Sequence, residues 1–197
     1  MLKDTRSRNK YFKATFIGSY LKAYAAEITR GLNGVSWKQM QLCESHLSRV
    51  RGLRRVFVGG NGGSAAISDH LCCDMEKGCD LPIHSLVGST ALLTAIGNDL
   101  GYKETLSFQL KQHRLRFYDT VILVSSSGNS PNIVAAAKLA KKTHATLIGL
   151  TGFDGGKLNE LADIKLHVPI HNYGVVEDCH QAIMHVLAQW IYLKDSK

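Results

Sequence analysis

Residues 56–64 constrain this chain more than any other stretch. Val56-Phe57-Val58 is a short apolar run that breaks into Gly59-Gly60-Asn61-Gly62-Gly63 and ends on Ser64. Residues 65–71 then hold no Gly or Pro and space their apolar side chains helically. A strand that stops at a glycine-rich turn and opens a helix gathers unpaired N–H groups and the positive end of a helix dipole at one point. Glycine lets the backbone come close to a ligand, and Ser64 stands where a hydroxyl could cap the helix or bind an anion. The stretch reads as a phosphate cradle. It is not a P-loop, because no Gly-Lys-Ser/Thr follows, and its spacing misses Gly-x-Gly-x-x-Gly.

Such turns also occur as plain punctuation in α/β folds, so a second stretch decides the weighing. Val121-Ile122-Leu123-Val124 runs into Ser125-Ser126-Ser127-Gly128-Asn129-Ser130-Pro131. Here Ser130 is the predicted N-cap and Pro131 the first helical position. Two strands that each end in Ser, Gly and Asn at a helix start bring two sets of hydroxyls and amides to one sheet edge.

Along the whole chain, helical spacing over 9–30 collects Tyr11, Phe12, Phe16, Ile17, Tyr20, Leu21 and Tyr24 on an aromatic-rich face that a second subunit is expected to cover. A second helix is expected from Ser36 to about residue 50. The pattern then alternates: strand 54–59, helix 64–76, strand 84–88, helix 89–97, helix 102–116, strand 120–125, helix 131–142, strand 145–150, a short helix near 157–161, strand 164–168 and a long helix over 174–193. Apolar, unalternated strands between helices predict a doubly wound parallel sheet covered on both faces. No linker or repeat interrupts it, so the expectation is one domain over 1–197, with N-terminal helices in 1–52 and an α/β core in 53–197.

No apolar run approaches the length of a membrane span, about 18 residues, and Met1-Leu2-Lys3-Asp4 does not open a signal peptide. The five cysteines (Cys43, Cys72, Cys73, Cys79, Cys179) are an odd set without Cys-x-x-Cys spacing, which predicts core or partly exposed thiols and a reducing cytoplasm. Residues 1–55 carry twelve Lys/Arg against three Asp/Glu, and the remainder twelve against thirteen. No nucleic-acid motif accompanies that basic segment, which reads as a solvated helix face rather than a nucleic-acid or lipid contact.

Chemistry concentrates on two helices. His70 and Asp74 lie four apart on the first post-glycine helix and share a face. The last helix carries Glu177, Asp178, His180, Gln181 and His185, of which Glu177, Gln181 and His185 fall along one stripe. Two helices that each offer a His and a carboxylate make a candidate divalent-metal site. The same residues also read as a surface ion pair and a satisfied core histidine.

Gly60-Asn61-Gly62-Gly63-Ser64, Gly97-Asn98-Asp99, Ser125 to Ser130, the run Leu150-Thr151-Gly152-Phe153-Asp154-Gly155-Gly156-Lys157 and the closing Glu177 to His185 helix together resemble the sugar isomerase (SIS) domain. More narrowly, residues 10–194 are similar to the phosphoheptose isomerases, which convert sedoheptulose 7-phosphate to D-glycero-D-manno-heptose 7-phosphate. The resemblance implies a five-stranded parallel sheet of flavodoxin-like order and a homotetramer whose N-terminal helices pack at its centre. It implies phosphate and sugar binding by Asn61, Gly62, Ser64, Asp99, Ser125, Ser126, Ser127 and Ser130. It also implies one zinc ion per subunit on His70, Asp74, Glu177 and His185, with Asp74 and His185 moving the proton.

Some positions depart from the family pattern. Asp74 stands in place of a catalytic glutamate, Glu177 in place of a frequent glutamine, Gly174 in place of an aspartate, and Gly78, beside Lys77, in place of an arginine. Two other readings therefore stay open: an isomerase of a different phosphosugar, and a non-catalytic regulator like the SIS relatives that bind a replication initiator.

Overall fold

A computed structural model describes residues 16–50 and 52–195, so Tyr11 and Phe12 of the expected aromatic face lie outside it. Two helices, α1 (Ile17–Asn33) and α2 (Trp37–Leu47), precede the sheet. Ser36 caps α2 as expected, its hydroxyl accepting from the Gln39 N–H. Then follow β1 (Val56–Gly60), α3 (Gly63–Cys79), β2 (Ile83–Ser85), α4 (Thr90–Asp99), α5 (Thr105–Gln112), β3 (Thr120–Ser125), α6 (Pro131–Lys142), β4 (Thr146–Thr151), α7 (Gly156–Leu161), β5 (Ile164–His167) and α8 (Tyr173–Asp195). The helix expected over 102–116 is instead a 3-10 turn at Tyr102–Glu104 followed by the shorter α5. After that helix, Arg114 turns into the left-handed region and reverses the chain toward β3.

The sheet is all parallel in the order β2-β1-β3-β4-β5, the flavodoxin-like arrangement. Strand residues alternate between two cores, which is why the runs are apolar throughout rather than at every second position. Val58, Ile122, Val124, Ile148 and Leu150 meet Leu47, Leu71, Met75, Ile183 and Leu187 on one face. Phe57, Val121, Leu123 and Leu147 meet Leu106, Leu110, Ile133 and Leu158 on the other. The strand expected at 84–88 is only three residues long because β2 is an edge strand, paired to β1 alone.

The first core holds α3 and α8 side by side, running in the same direction. Gly63 lies against Glu177 at one end, and the Cys79 thiol donates to the Ala188 carbonyl near the other. That pairing positions the site. The strand order reverses between β1 and β3, and ligands of such sheets bind in the crevice at the carboxyl ends of the strands there.

Candidate functional site

Both glycine- and serine-rich turns leave the sheet at that switch point and line one cavity of about 710 Å³, together with Tyr20, Tyr24, Phe153, Tyr173 and Glu177. Gly62 caps α3 with φ of 56° and ψ of −124°, a backbone that side-chain-bearing residues avoid. Gly63 follows, and a Cβ there would lie 2.8 Å from the Glu177 carboxyl carbon, so only glycine admits that carboxylate to the start of α3.

The expected phosphate-site residues divide by what their side chains do. Ser125 Oγ accepts from the Gly128 N–H at 3.2 Å, and Ser127 Oγ from the Asn129 N–H at 3.3 Å; both hold the second loop in shape. Ser130 occupies the N-cap of α6 but makes no side-chain cap bond. Ser64 is buried in the first turn of α3 and faces the cavity. Ser126 is 4% exposed, lines the cavity, and its hydroxyl has no partner among the described residues. A buried hydroxyl without a partner is uncommon, and here it stands where an anion would sit.

Asn61 lines the cavity but is also tied down. Its side-chain amide exchanges two 2.8 Å hydrogen bonds with the buried Asn132, and its Oδ1 accepts a third from the Tyr102 hydroxyl. Asn132 donates further to Thr105. This network fastens the first loop to the start of α6, the helix that the second loop opens. Asp99 lies elsewhere: it ends α4, is exposed, accepts from the Asn98 amide and does not line the cavity.

Further along α3 a second cluster forms. His70 Nε2 is 3.5 Å from one Asp74 carboxylate oxygen, and His185 Nε2 is 3.8 Å from the other. The two imidazoles meet edge to face with centroids 5.0 Å apart. One donor atom from each of His70, Asp74 and His185 lies within 4.8 Å of the others, a two-nitrogen, one-oxygen set suited to a divalent cation. All three are at least partly open to solvent, so an ion could enter.

Glu177 is not in this set. Its carboxylate faces Gly63, seven residues before His70, which at 1.5 Å per residue is about 10 Å along α3. Gln181 stands in the gap, its amide nitrogen 3.2 Å from His70 Nδ1 and 2.9 Å from His185 Nε2.

The remaining candidates take structural places. His180 is fully buried and donates from Nε2 to the Thr151 carbonyl, and burial draws its pKa down to about 4. That is the core histidine, only half satisfied, because its Nδ1 is buried without a partner among the described residues. Burial pushes the Cys43 and Cys72 thiols up to about 12 and Cys179 to about 11, so these cysteines act as small hydrophobes rather than thiolate ligands. The Tyr24 hydroxyl reaches the site from α1: it donates to Asp178 at 2.7 Å and stands beside Gly174, where the family pattern has an aspartate. Burial first and the Asp178 hydrogen bond second hold its proton on well above the ordinary tyrosine range.

Sequence reasoning missed Asn132, Tyr102 and the cavity role of Tyr20 and Tyr24. The only signal for Asn132 was its place directly after Ser130-Pro131.

Comparison with known proteins accounts for this arrangement. Residues 23–152 match the SIS domain family. The phosphoheptose isomerase of Rhodospirillum rubrum is 37% identical over 138 residues, which cover 68% of this chain and 73% of that protein. That of Trichlorobacter lovleyi is 31% identical over 182 residues, covering 90% and 92%. The solved phosphoheptose isomerase of Neisseria gonorrhoeae superposes with a TM-score of 0.81 at 29% identity, over 89% of this chain and 99% of that one. A five-stranded parallel sheet of this order, two serine-and-glycine loops at its switch point and this extent of identity have one reading: the chain belongs to the SIS domain family and, within it, to the phosphoheptose isomerases, which are aldose–ketose isomerases.

Proposed function

We propose that this chain interconverts sedoheptulose 7-phosphate and D-glycero-D-manno-heptose 7-phosphate as a zinc-assisted isomerase, in the supply of nucleotide-activated heptose. The observation that carries the reading is the spacing of two half-sites on one helix. The phosphate cradle lies at the start of α3, and the His70–Asp74–His185 cluster begins six residues after Ser64, about 9 Å along the axis. With C–C bonds of about 1.5 Å, an extended chain of about seven bonds bridges that gap. A sugar whose phosphate and carbonyl sit at opposite ends of seven carbons has this length, and a triose phosphate does not.

Isomerisation moves a proton between C1 and C2 through an enediol, which requires a base, an acid and stabilisation of developing oxyanion charge. Ser64, Ser126, Ser130 and the N–H groups opening α3 bind the phosphate and lay the carbon chain along the helix. Asp74 accepts the proton from carbon, and His185, its neighbour at 3.8 Å, serves the adjacent oxygen. A divalent cation held by His70, Asp74 and His185 would polarise the substrate's carbonyl and hydroxyl oxygens.

We also propose a homo-oligomer, a tetramer by family likeness. Phe16, just before α1, Ile17 and Leu21 on α1, and Val186, Trp190 and Leu193 on α8 are exposed, and such apolar faces call for cover by further copies. Among the described residues no helix is long and apolar enough to cross a membrane.

The test is to follow sedoheptulose 7-phosphate with zinc-loaded protein by NMR, beside Asp74→Asn and His185→Ala. Aldose formation that both substitutions abolish is the expected outcome. No turnover, with other phosphosugars still raising the melting temperature, would reassign the substrate. Neither turnover nor binding would overturn the enzyme reading.

A further inference from the structure

We propose that Tyr24 is a specificity-determining residue: with its own proton donated to Asp178, its phenolic oxygen accepts a hydrogen bond from the substrate hydroxyl nearest the phosphate. Asp178 acts through Tyr24, as a positioning residue. This rests on the phosphosugar reading above.

Tyr24 is held from behind. Ile28 and Leu32, one and two turns further along the same face of α1, pack with it against the first core, and Tyr20 stacks on its ring at a centroid distance of 6.5 Å. Its hydroxyl donates to Asp178 at 2.7 Å. Gly174 stands beside that hydroxyl in the cavity wall, and a Cβ at Gly174 would come within 2.9 Å of the phenolic oxygen. The missing side chain leaves the oxygen its place at the cavity. Asp178 itself does not line it.

A phenol has one proton to donate and an oxygen that also accepts. That proton goes to Asp178, and burial first and the Asp178 hydrogen bond second keep it on well above the ordinary tyrosine range. Tyr24 therefore offers the cavity an acceptor. A phosphate dianion has no proton to give it, whereas a sugar hydroxyl has. Depth along the helices assigns which hydroxyl. Gly174 precedes Glu177 by three residues, about 4.5 Å along α8, and Glu177 faces Gly63 at the start of α3. Because α3 and α8 run in the same direction, Tyr24 stands ahead of the first turn of α3, on the far side of the cradle from His70. It meets the carbon next to the phosphate-bearing one rather than the reacting carbons, so its effect falls on binding.

The test uses full-length, zinc-loaded protein and two phosphate monoesters that cannot isomerise. Glycerol 3-phosphate has a hydroxyl beside its phosphate-bearing carbon, and propyl phosphate lacks it. In titration calorimetry, Tyr24→Phe is expected to weaken glycerol 3-phosphate about three- to tenfold and to leave propyl phosphate within about twofold of the parent. Gly174→Ala keeps the phenol, displaces its oxygen, and should act in the same direction. Asp178→Ala frees the proton to turn toward the phosphate, so propyl phosphate should bind at least about twofold more tightly, and Tyr24→Phe in the same chain should cancel that gain. In turnover of sedoheptulose 7-phosphate, Tyr24→Phe should raise KM and leave kcat within about twofold. The melting temperature of each variant reports folding separately.

A parent without preference for glycerol 3-phosphate, or a Tyr24→Phe protein that keeps the preference, would overturn the assignment. So would an equal loss for both esters, which marks a contact to the phosphate. A gain in Asp178→Ala that persists without the phenol would be an effect of charge alone and would remove the positioning role of Asp178. A parent that does not turn over sedoheptulose 7-phosphate, yet loses its glycerol 3-phosphate preference in Tyr24→Phe, would remove the substrate reading and leave the tyrosine assignment standing.

Discussion

Ser126→Ala is expected to stabilise the ligand-free protein and to cripple binding of its substrate. Ser126 is 4% exposed, and its hydroxyl has no partner among the described residues. A buried polar group left unpaired costs about 1–3 kcal/mol, and the alanine variant is released from that cost. For a chain of this size each 1 kcal/mol moves the melting temperature by about 2–4 °C, so the variant should melt at least about 2 °C higher. Binding moves oppositely. A hydrogen bond to a charged group contributes about 1.5–3 kcal/mol, so loss of the one to phosphate should weaken sedoheptulose 7-phosphate about 10- to 150-fold. Ser125→Ala, one residue away, is the control: its hydroxyl accepts the Gly128 N–H, and its removal should cost about 1 kcal/mol of stability. The assay is calorimetric melting without ligand beside titration calorimetry with the phosphosugar. A Ser126→Ala protein that melts lower and binds as before would refute the reasoning, because the hydroxyl would then be structural.

Two predictions concern stability away from the cavity. His180 has its pKa drawn down to about 4 by burial, so below its ordinary value near 6.5 the unfolded chain takes up a proton that the folded one refuses. Stability should therefore be full above about pH 6.5 and fall as pH drops toward 4, by about 3 kcal/mol from this residue. Urea midpoints across that range should flatten in His180→Gln, with a residual slope because burial shifts His46, His113 and His167 the same way. Asp119 is fully buried and accepts from the Arg55 guanidinium and from the backbone N–H groups of Arg55 and Arg116. Asp119→Ala strands those donors and should cost about 3–5 kcal/mol in urea unfolding. Phosphosugar affinity should hold, because this pair lies at the amino ends of β1 and β3, opposite the cavity.

How much of this was legible depended on whether the determinant was local. The runs 56–58 and 121–124 announced strands buried on both faces, because only such strands are apolar at every position. The two loops announced their chemistry through residue type, and His70 with Asp74 through helical spacing. What failed was distance between elements. Glu177, Gln181 and His185 share a stripe, but Glu177 and His185 are eight residues apart, about 12 Å along the axis. Which of them meets α3 at His70 depends on how α8 slides against α3, and the Gly63–Glu177 approach sets that register. The Asn61–Asn132 bond joins residues 71 positions apart, and no local pattern encodes it. The aromatic face of α1 was visible, but its partition was not: Tyr20 and Tyr24 turn into the cavity while Phe16, Ile17 and Leu21 face outward.

The position of Glu177 has a consequence for the phosphate site. The start of α3 carries about half a positive charge, and both the Glu177 carboxylate and an incoming phosphate are drawn to it. Two anions that share one helix end repel each other. For unit charges about 6 Å apart, the repulsion runs from about 0.7 kcal/mol in bulk-water dielectric to about 3 kcal/mol near a protein surface. A phosphate carrying nearly two charges feels more. Glu177→Gln keeps the shape, removes the charge, and should bind inorganic phosphate at least about threefold more tightly, with the gain shrinking as salt screens it. Titration calorimetry at two ionic strengths measures both effects. Equal or weaker phosphate binding by Glu177→Gln would mean that the carboxylate does not share the helix end with the anion.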